Sequence, residues 1–262
     1  MIGIKIIYSL ISLGIITSIG LFVIVKLKSQ NQKLRKLLKN STSKLEKLQI
    51  HFGSFTPPEV IEHLTDSDGK YKPGMRSVTV LFADLKGFTK MCESMDPPVV
   101  VNILNGYFRE MSKVISQHHG QVTELMGDGI LALFGALTSN PWHVQDAVNG
   151  AIAMREALQK YNATLKNQSL PTLSFGIGIH QGEVLAGVMG NFELSKFGVV
   201  GDTINVASRV ESLTRTHKVD ILISEQVRNN LDERYKLSEM PPAMVKGKEH
   251  PITTFHIMSK TG

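Results

Sequence analysis

Apolar positions first form one unbroken block. Ile6 to Val25 (IIYSLISLGIITSIGLFVIV) is twenty residues without a formal charge. As a helix it covers about 30 Å, the hydrocarbon thickness of a bilayer. A cleaved signal peptide or a buried core helix would share that character, but Lys26, Leu27 and Lys28 follow in place of a small-residue exit. A single transmembrane anchor over residues 1–26 is therefore expected. Beyond it Leu27, Leu34, Leu37, Leu38, Leu45 and Leu48 recur among Lys, Gln and Asn at roughly 3.5-residue intervals, which predicts an amphipathic helical linker over 27–56. That linker either pairs as a short coiled coil or lies as a solvated spacer beside anionic headgroups.

After Pro57-Pro58 and the polar stretch Thr65–Pro73 the pattern alternates between strand and helix periods. Ser77–Ala83 (SVTVLFA) reads as a central strand, and Pro98–His119 as a helix ended by Gly120. Gln121–Met126 and Ile130–Phe134 read as a hairpin joined at Gly127-Asp128-Gly129. A helix is expected over Trp142–Asn162, a strand over Leu173–His180 and a helix over Asp202–Leu213. Short strands with a helix near Glu225–Leu231 complete residues 219–258. This order implies an α+β fold over residues 57–262, a ferredoxin-like palm with helices packed on one face of the sheet.

Charge changes the picture of partners. The chain has 29 Lys/Arg and 23 Asp/Glu, net +6, with a pI near 9.3. Nine of those bases and one acid, Glu46, lie in the first fifty residues, a local net of +8; the other 20 bases face 22 acids, a net of −2. The basic character belongs to the flank of the apolar block, so no nucleic-acid-binding domain is implied. Lys5 precedes the block, whereas Lys26, Lys28, Lys33, Arg35, Lys36, Lys39, Lys44 and Lys47 follow it. The excess of cytoplasmic positive charge places everything after residue 26 inside. The expected location is the cell (inner) membrane, single-pass, beside membrane lipid. A regulatory input would then come through the bilayer, a partner membrane protein or the cytosol. The lone Cys92 excludes a disulfide framework and suits a reducing compartment.

Two acids stand out by place. Asp84 ends the first strand, and Asp128 sits at the tip of the hairpin expected beside it. Carboxylates on neighbouring strand ends can hold a pair of Mg²⁺ ions, with phosphates attached, although Gly-Asp-Gly is also an ordinary turn. Asn205 and Arg209 lie four apart on one helix, where an amide and a guanidinium could orient a ribose and neutralise a phosphate. A solvated face, with Arg209 paired to Glu211 or another acid, is the plainer alternative. His118-His119 suits a helix C-terminus, Trp142 suits packing, and His180 suits orientation of backbone.

The segments VTVLFADLKGFT (78–89), TELMGDGILALFG (123–135), GIGIHQGEVLAGVMG (176–190), GDTINVASRVE (201–211) and VKGKEHPITTF (245–255) resemble, in order and spacing, the catalytic domain of class III nucleotide cyclases, the adenylyl and guanylyl cyclase family. The resemblance implies two Mg²⁺, with Mn²⁺ as a substitute, held by Asp84, Asp128 and the Leu85 carbonyl. It implies that Asn205 positions the ribose, Arg209 stabilises the transition state and Lys246 contacts the terminal phosphates. The implied reaction turns a nucleoside triphosphate into a 3′,5′-cyclic nucleotide and pyrophosphate. The sites of this family form between two domains, so a head-to-tail homodimer is implied.

Two positions bear on the base. Where adenylyl cyclases usually carry Lys this chain has Glu124, and a carboxylate accepts from the N1–H and 2-amino donors of guanine. Gly198 stands at the second selector and adds no side-chain contact. GTP is the expected substrate, with ATP next and a pyrimidine triphosphate third. A catalytically silent nucleotide-binding module is the rival of another class, opposed by the intact Asp84, Asp128, Asn205 and Arg209. A diguanylate cyclase is discounted because G-G-[DE]-E-F is absent.

Overall fold

The computed structural model describes residues 26, 28, 30–40, 42–44, 73–190, 195–245 and 251–261. The apolar block 6–25, both ends of the linker and Lys246 lie outside the described residues. Among the described residues no helix is long and apolar enough to cross a membrane. The chain divides into two units, Met1–Thr56 and Pro57–Gly262. In the first, residues 30–40 are helical and Leu34, Leu37 and Leu38 are exposed.

The second unit is built on eight strands: β1 (Gly74–Leu85), β2 (Gly120–Met126), β3 (Gly129–Phe134), β4 (Phe175–Gly190), β5 (Ser195–Val200), β6 (Ile221–Ser224), β7 (Tyr235–Glu239) and β8 (Thr254–Lys260). Helices α1 (Phe88–Ser94), α2 (Pro97–Gln117), α3 (His143–Asn167), α4 (Asp202–His217) and α5 (Glu225–Arg228) connect them. The sheet order is β2-β3-β1-β4-β6-β8-β7, with β5 also paired to β4. Among the described strand pairs β4–β6 is parallel and the rest are antiparallel. A parallel pair needs a crossover, and α4 supplies it.

The α+β fold expected from the sequence is present, with one correction: helices cover both faces. Leu81, Ala83, Ile130, Ala132, Ile177 and Ile179 pack with Tyr107, Met111, Ile115, Ala147, Ala151 and Met154 of α2 and α3. On the other face Val78, Val80, Leu131, Leu133 and Val184 pack with Phe197 and with Ala207 of α4. Leu222 meets Val206, Val210 and Leu213 of α4 there too. The reason is in the strands themselves. Val80 and Leu81 are adjacent and both fully buried, so β1 needs cover on each side. Strand β4 is also longer than expected, and α3 continues to Asn167.

Strand β4 meets α4 along a track of glycines. A β-carbon at Gly178 would stand 2.1 Å from the backbone nitrogen of Glu211, and one at Gly176 would stand 2.0 Å from Thr214 Oγ1. The helix therefore rests against bare strand backbone. Its first turn is fixed by Thr203, whose hydroxyl donates to the Glu183 carbonyl at 2.7 Å. At the far end of β4, Met75, Leu185 and Val200 lie side by side across β1, β4 and β5 and are all exposed.

Candidate active site

Register brings the two predicted acids together. The β1–β3 pairing ends at Ala83↔Ile130, so Asp84 emerges beside the β2–β3 turn. In that two-residue turn Gly127 takes φ 64°, the left-handed geometry that favours glycine in a hairpin's first turn position. Asp128 follows, its carboxylate accepting hydrogen bonds from its own backbone N–H and from that of Leu85. A β-carbon at Gly129 would stand 3.3 Å from Asp84 Oδ1, so that oxygen faces the hairpin. Burial, then the charge of Asp84, push the Asp128 carboxyl above its ordinary range. A half-buried carboxylate with a second acid beside it makes a hard-oxygen site that a divalent cation would relieve.

Asp84, Asp128 and the Leu85 carbonyl fit the implied metal pair on this chemistry. Among the described residues no group of three or more His, Cys, Asp or Glu is placed to hold a metal ion by itself, and Mg²⁺ takes one or two carboxylates with waters and substrate phosphates. Beneath the acids lies the fully buried Tyr107, whose hydroxyl has no partner among the described residues. Burial, then the charges of Asp84, Asp128 and Glu211, push its phenol upward.

One residue of this cluster was not singled out from the sequence. Arg215, in the last turns of α4, pairs its Nη2 with Asp84 Oδ2 while Nη1 donates to Glu211 Oε1 and Oε2 at 3.2 and 3.3 Å. Burial pushes Glu211 up to about 7, with Arg215 opposing and Asp84 adding to the shift. The i,i+4 spacing of Glu211 and Arg215 was a visible signal; the link to Asp84, 131 residues away, was not. Lys86 turns away, donating to the Val219 carbonyl at 2.7 Å.

The recognition residues are spread out. Asn205 is exposed on α4 and Arg209 half-buried on the same helix. Of the plainer pairings, that with Glu211 is not made, because Glu211 holds Arg215, but Arg209 Nη1 does meet another acid, Asp202 Oδ1, at 3.8 Å. That Nη1 is buried without a hydrogen-bond acceptor among the described residues, an opening for an anionic oxygen. Glu124 is exposed on β2, just past a bulge, opposite Leu131. Gly198 pairs with Gly187 on β4, whereas Asp84 pairs with Gly176. Those β4 positions are eleven residues apart, about 36 Å of strand. The structure thus brings Asp84 and Asp128 together and sets Gly198 far along the sheet from them, with Glu124 on β2 and Asn205 and Arg209 on α4.

The remaining candidates resolve plainly. Trp142, expected to pack, is 65% exposed, because α3 begins only after it and its side chain is left at the rim. His119 pairs with Asp146 at 3.2 Å, His180 Nδ1 lies 2.8 Å from Ser224 Oγ, and Cys92 is exposed and free.

The family described as "Adenylate and Guanylate cyclase catalytic domain" matches residues 70–259. The chain belongs to that family. The cyclase domain is 34% identical over 235 residues to an adenylate cyclase of Anabaena cylindrica, covering 84% of this chain and 45% of the relative. It is 27% identical to the human guanylate cyclase soluble subunit beta-2, over 89% of this chain and 37% of the relative. Among solved structures, that of the guanylyl cyclase Cya2 is similar with a TM-score of 0.68 at 35% identity, over 72% of this chain and 95% of the other. The chain spans less than half the length of these two curated relatives. Cyclases named for either purine thus stand among its relatives.

Proposed function

We propose that this chain is a membrane-anchored nucleotide cyclase that converts GTP to 3′,5′-cyclic GMP and pyrophosphate as a head-to-tail homodimer. The observation that carries the chemistry is the joining of Asp84 and Asp128 through the Leu85 N–H at one end of β1. The observation that carries the dimer is distance. Gly198 stands about 36 Å of strand from the metal end, longer than a nucleoside triphosphate, so the base and phosphates of one substrate meet residues of two chains. The exposed row Met75, Leu185 and Val200 and the exposed Leu34, Leu37 and Leu38 suit burial against a second copy. An anchor at 6–25 would hold two chains parallel and raise their effective concentration.

When bound, two Mg²⁺ would lower the charge cost of the attacking 3′-oxygen and the leaving pyrophosphate. Asn205 of the second chain orients the ribose so that the 3′-hydroxyl lies in line with the α-phosphate. Arg209, with an unsatisfied Nη1, donates to the non-bridging oxygens as charge builds on them. Lys246 neutralises the terminal phosphates. Glu124 accepts from guanine N1–H and its 2-amino group, a pattern adenine cannot offer. The adenylate cyclase of Anabaena cylindrica among the relatives keeps ATP as the second reading.

The test is incubation of the full chain in detergent with Mg²⁺ or Mn²⁺ and each of GTP, ATP, UTP and CTP, with products identified by mass. Cyclic GMP should dominate. A faster conversion of ATP would overturn the Glu124 assignment while leaving the cyclase reading intact; no cyclic product from any of the four would remove both.

A further inference from the structure

The metal end carries a positive group that the cyclase reading does not use. Arg215 is held from both sides: Nη1 by the two oxygens of Glu211, Nη2 by Asp84 Oδ2. Glu211 is itself 8% exposed and pinned beneath α4, where Gly176 and Gly178 leave no room for a side chain on β4. The guanidinium therefore cannot swing away without leaving a buried carboxylate unpaired. Asp84 is divided as a result. One oxygen, Oδ2, is bound to Arg215, and the other, Oδ1, faces the hairpin that carries Asp128.

Formal charge sharpens the point. Asp84, Asp128 and Glu211 bring three carboxylates to this cluster and Arg215 brings one guanidinium, while Lys86 turns away toward Val219 and Asp220. One divalent cation held with the help of the free Asp84 Oδ1 would bring that sum to zero. A second would leave +2 and would compete for Oδ2, which Arg215 holds. A triphosphate would supply the missing negative charge and the ligand oxygens that a second cation lacks while Arg215 holds Oδ2.

We propose that Arg215 is a positioning residue that reserves Asp84 Oδ2, so that the nucleotide-free chain takes one divalent cation and the second enters only with the substrate. This rests on the two-metal reading of Asp84 and Asp128. Removing the guanidinium frees an oxygen and removes a like charge from beside the second site, which should tighten that site by at least about tenfold.

The experiment counts Mn²⁺ by the paramagnetic resonance of the free ion, titrated into the full chain without nucleotide. The wild type should bind one Mn²⁺ per chain, and Arg215→Met should bind two over the same concentration range. The double variant Arg215→Met with Glu211→Gln, which leaves no buried unpaired charge, should also bind two. Two ions per wild-type chain, or one ion in both folded Met variants, would overturn the proposal, and the wild-type count decides even if the variants do not fold. Asp84→Ala separates this from the underlying reading: undiminished Mn²⁺ binding there removes the metal assignment itself. Binding lost in Asp84→Ala, with Arg215→Met unchanged from wild type, removes the role of Arg215 alone.

Discussion

The two ends of α4 differ in how far a single chain completes them. At its C-terminal end Arg215 joins Glu211 to Asp84, whose other oxygen faces the hairpin of Asp128, with Tyr107 buried nearby. Toward its N-terminal end Asn205 is exposed and Arg209 holds an unsatisfied nitrogen, with Glu124 and Gly198 on other edges of the sheet. The first end is a finished device that awaits cations. In the proposed homodimer the second is a set of donors and acceptors for a substrate held by another copy. On that reading charge stabilisation is local to a chain, and discrimination between bases is shared between chains.

The strongest way to break this contrast is genetic. Asp84→Ala and Arg209→Ala should each lower turnover by at least about 10³-fold with the fold retained. Co-expressed, the two should regain roughly a quarter of wild-type activity, because half of the pairs are mixed and each mixed pair holds one intact site. No recovery would place both ends in one chain's site and dissolve the distinction. Next in size, Gly178→Ala drives a β-carbon into the Glu211 backbone and should cost about 2–3 kcal/mol by overpacking, read as a lower urea midpoint, while disturbing both ends of α4 at once. An unchanged midpoint would mean that α4 is free to lift.

The recognition end can be sharpened separately. A β-carbon at Gly198 would meet Met189 Cε at 3.7 Å, an ordinary contact, so the pair Glu124→Lys and Gly198→Asp should fold normally. The ratio of ATP to GTP turnover should rise about 10- to 100-fold, the worth of one or two hydrogen bonds to a base edge, with Mn²⁺ binding unaltered. The smallest effect is a control away from both ends. Burial alone would push Asp220 upward, but hydrogen bonds and charge from Arg155, then His256, outweigh it and hold its carboxyl below the ordinary range. That pairing stabilises the fold above an ordinary aspartate pKa and fades as pH drops below it. Asp220→Asn should thus lose about 1 kcal/mol at pH 7, discounted for an acid one-third exposed. The gap should close in acid, as measured by thermal unfolding across pH.

Legibility in the sequence followed the same division. Asp84 and Asp128 were readable because a β-branched run and a Gly-Asp-Gly turn fix their places locally. The placement of Asn205 and Arg209 was readable from helical spacing. Three things were not. Gly176, Gly178 and Gly182 look like strand breakers, yet they lie inside one sixteen-residue strand, because a helix takes the room a side chain would fill. The face on which α4 packs is invisible in its apolar stripe, which reads alike on either side of a sheet. Arg215 is visible as a partner of Glu211 but not of Asp84, since only the register of β1 with β4 brings that pair together.

The glycine seat under α4 also bears on how such a chain can diverge. A helix resting on bare backbone has no side chains beneath it to trim or enlarge, so its height over the sheet cannot be adjusted in small steps. Substitution at Gly176 or Gly178 shifts Arg215, Arg209 and Asn205 together. On the proposed reading, change of substrate is channelled to Glu124 and Gly198, which sit on edge strands and can be exchanged one at a time without moving the helix. A lineage could cross from one purine to the other through two such surface exchanges while its catalytic frame stayed fixed.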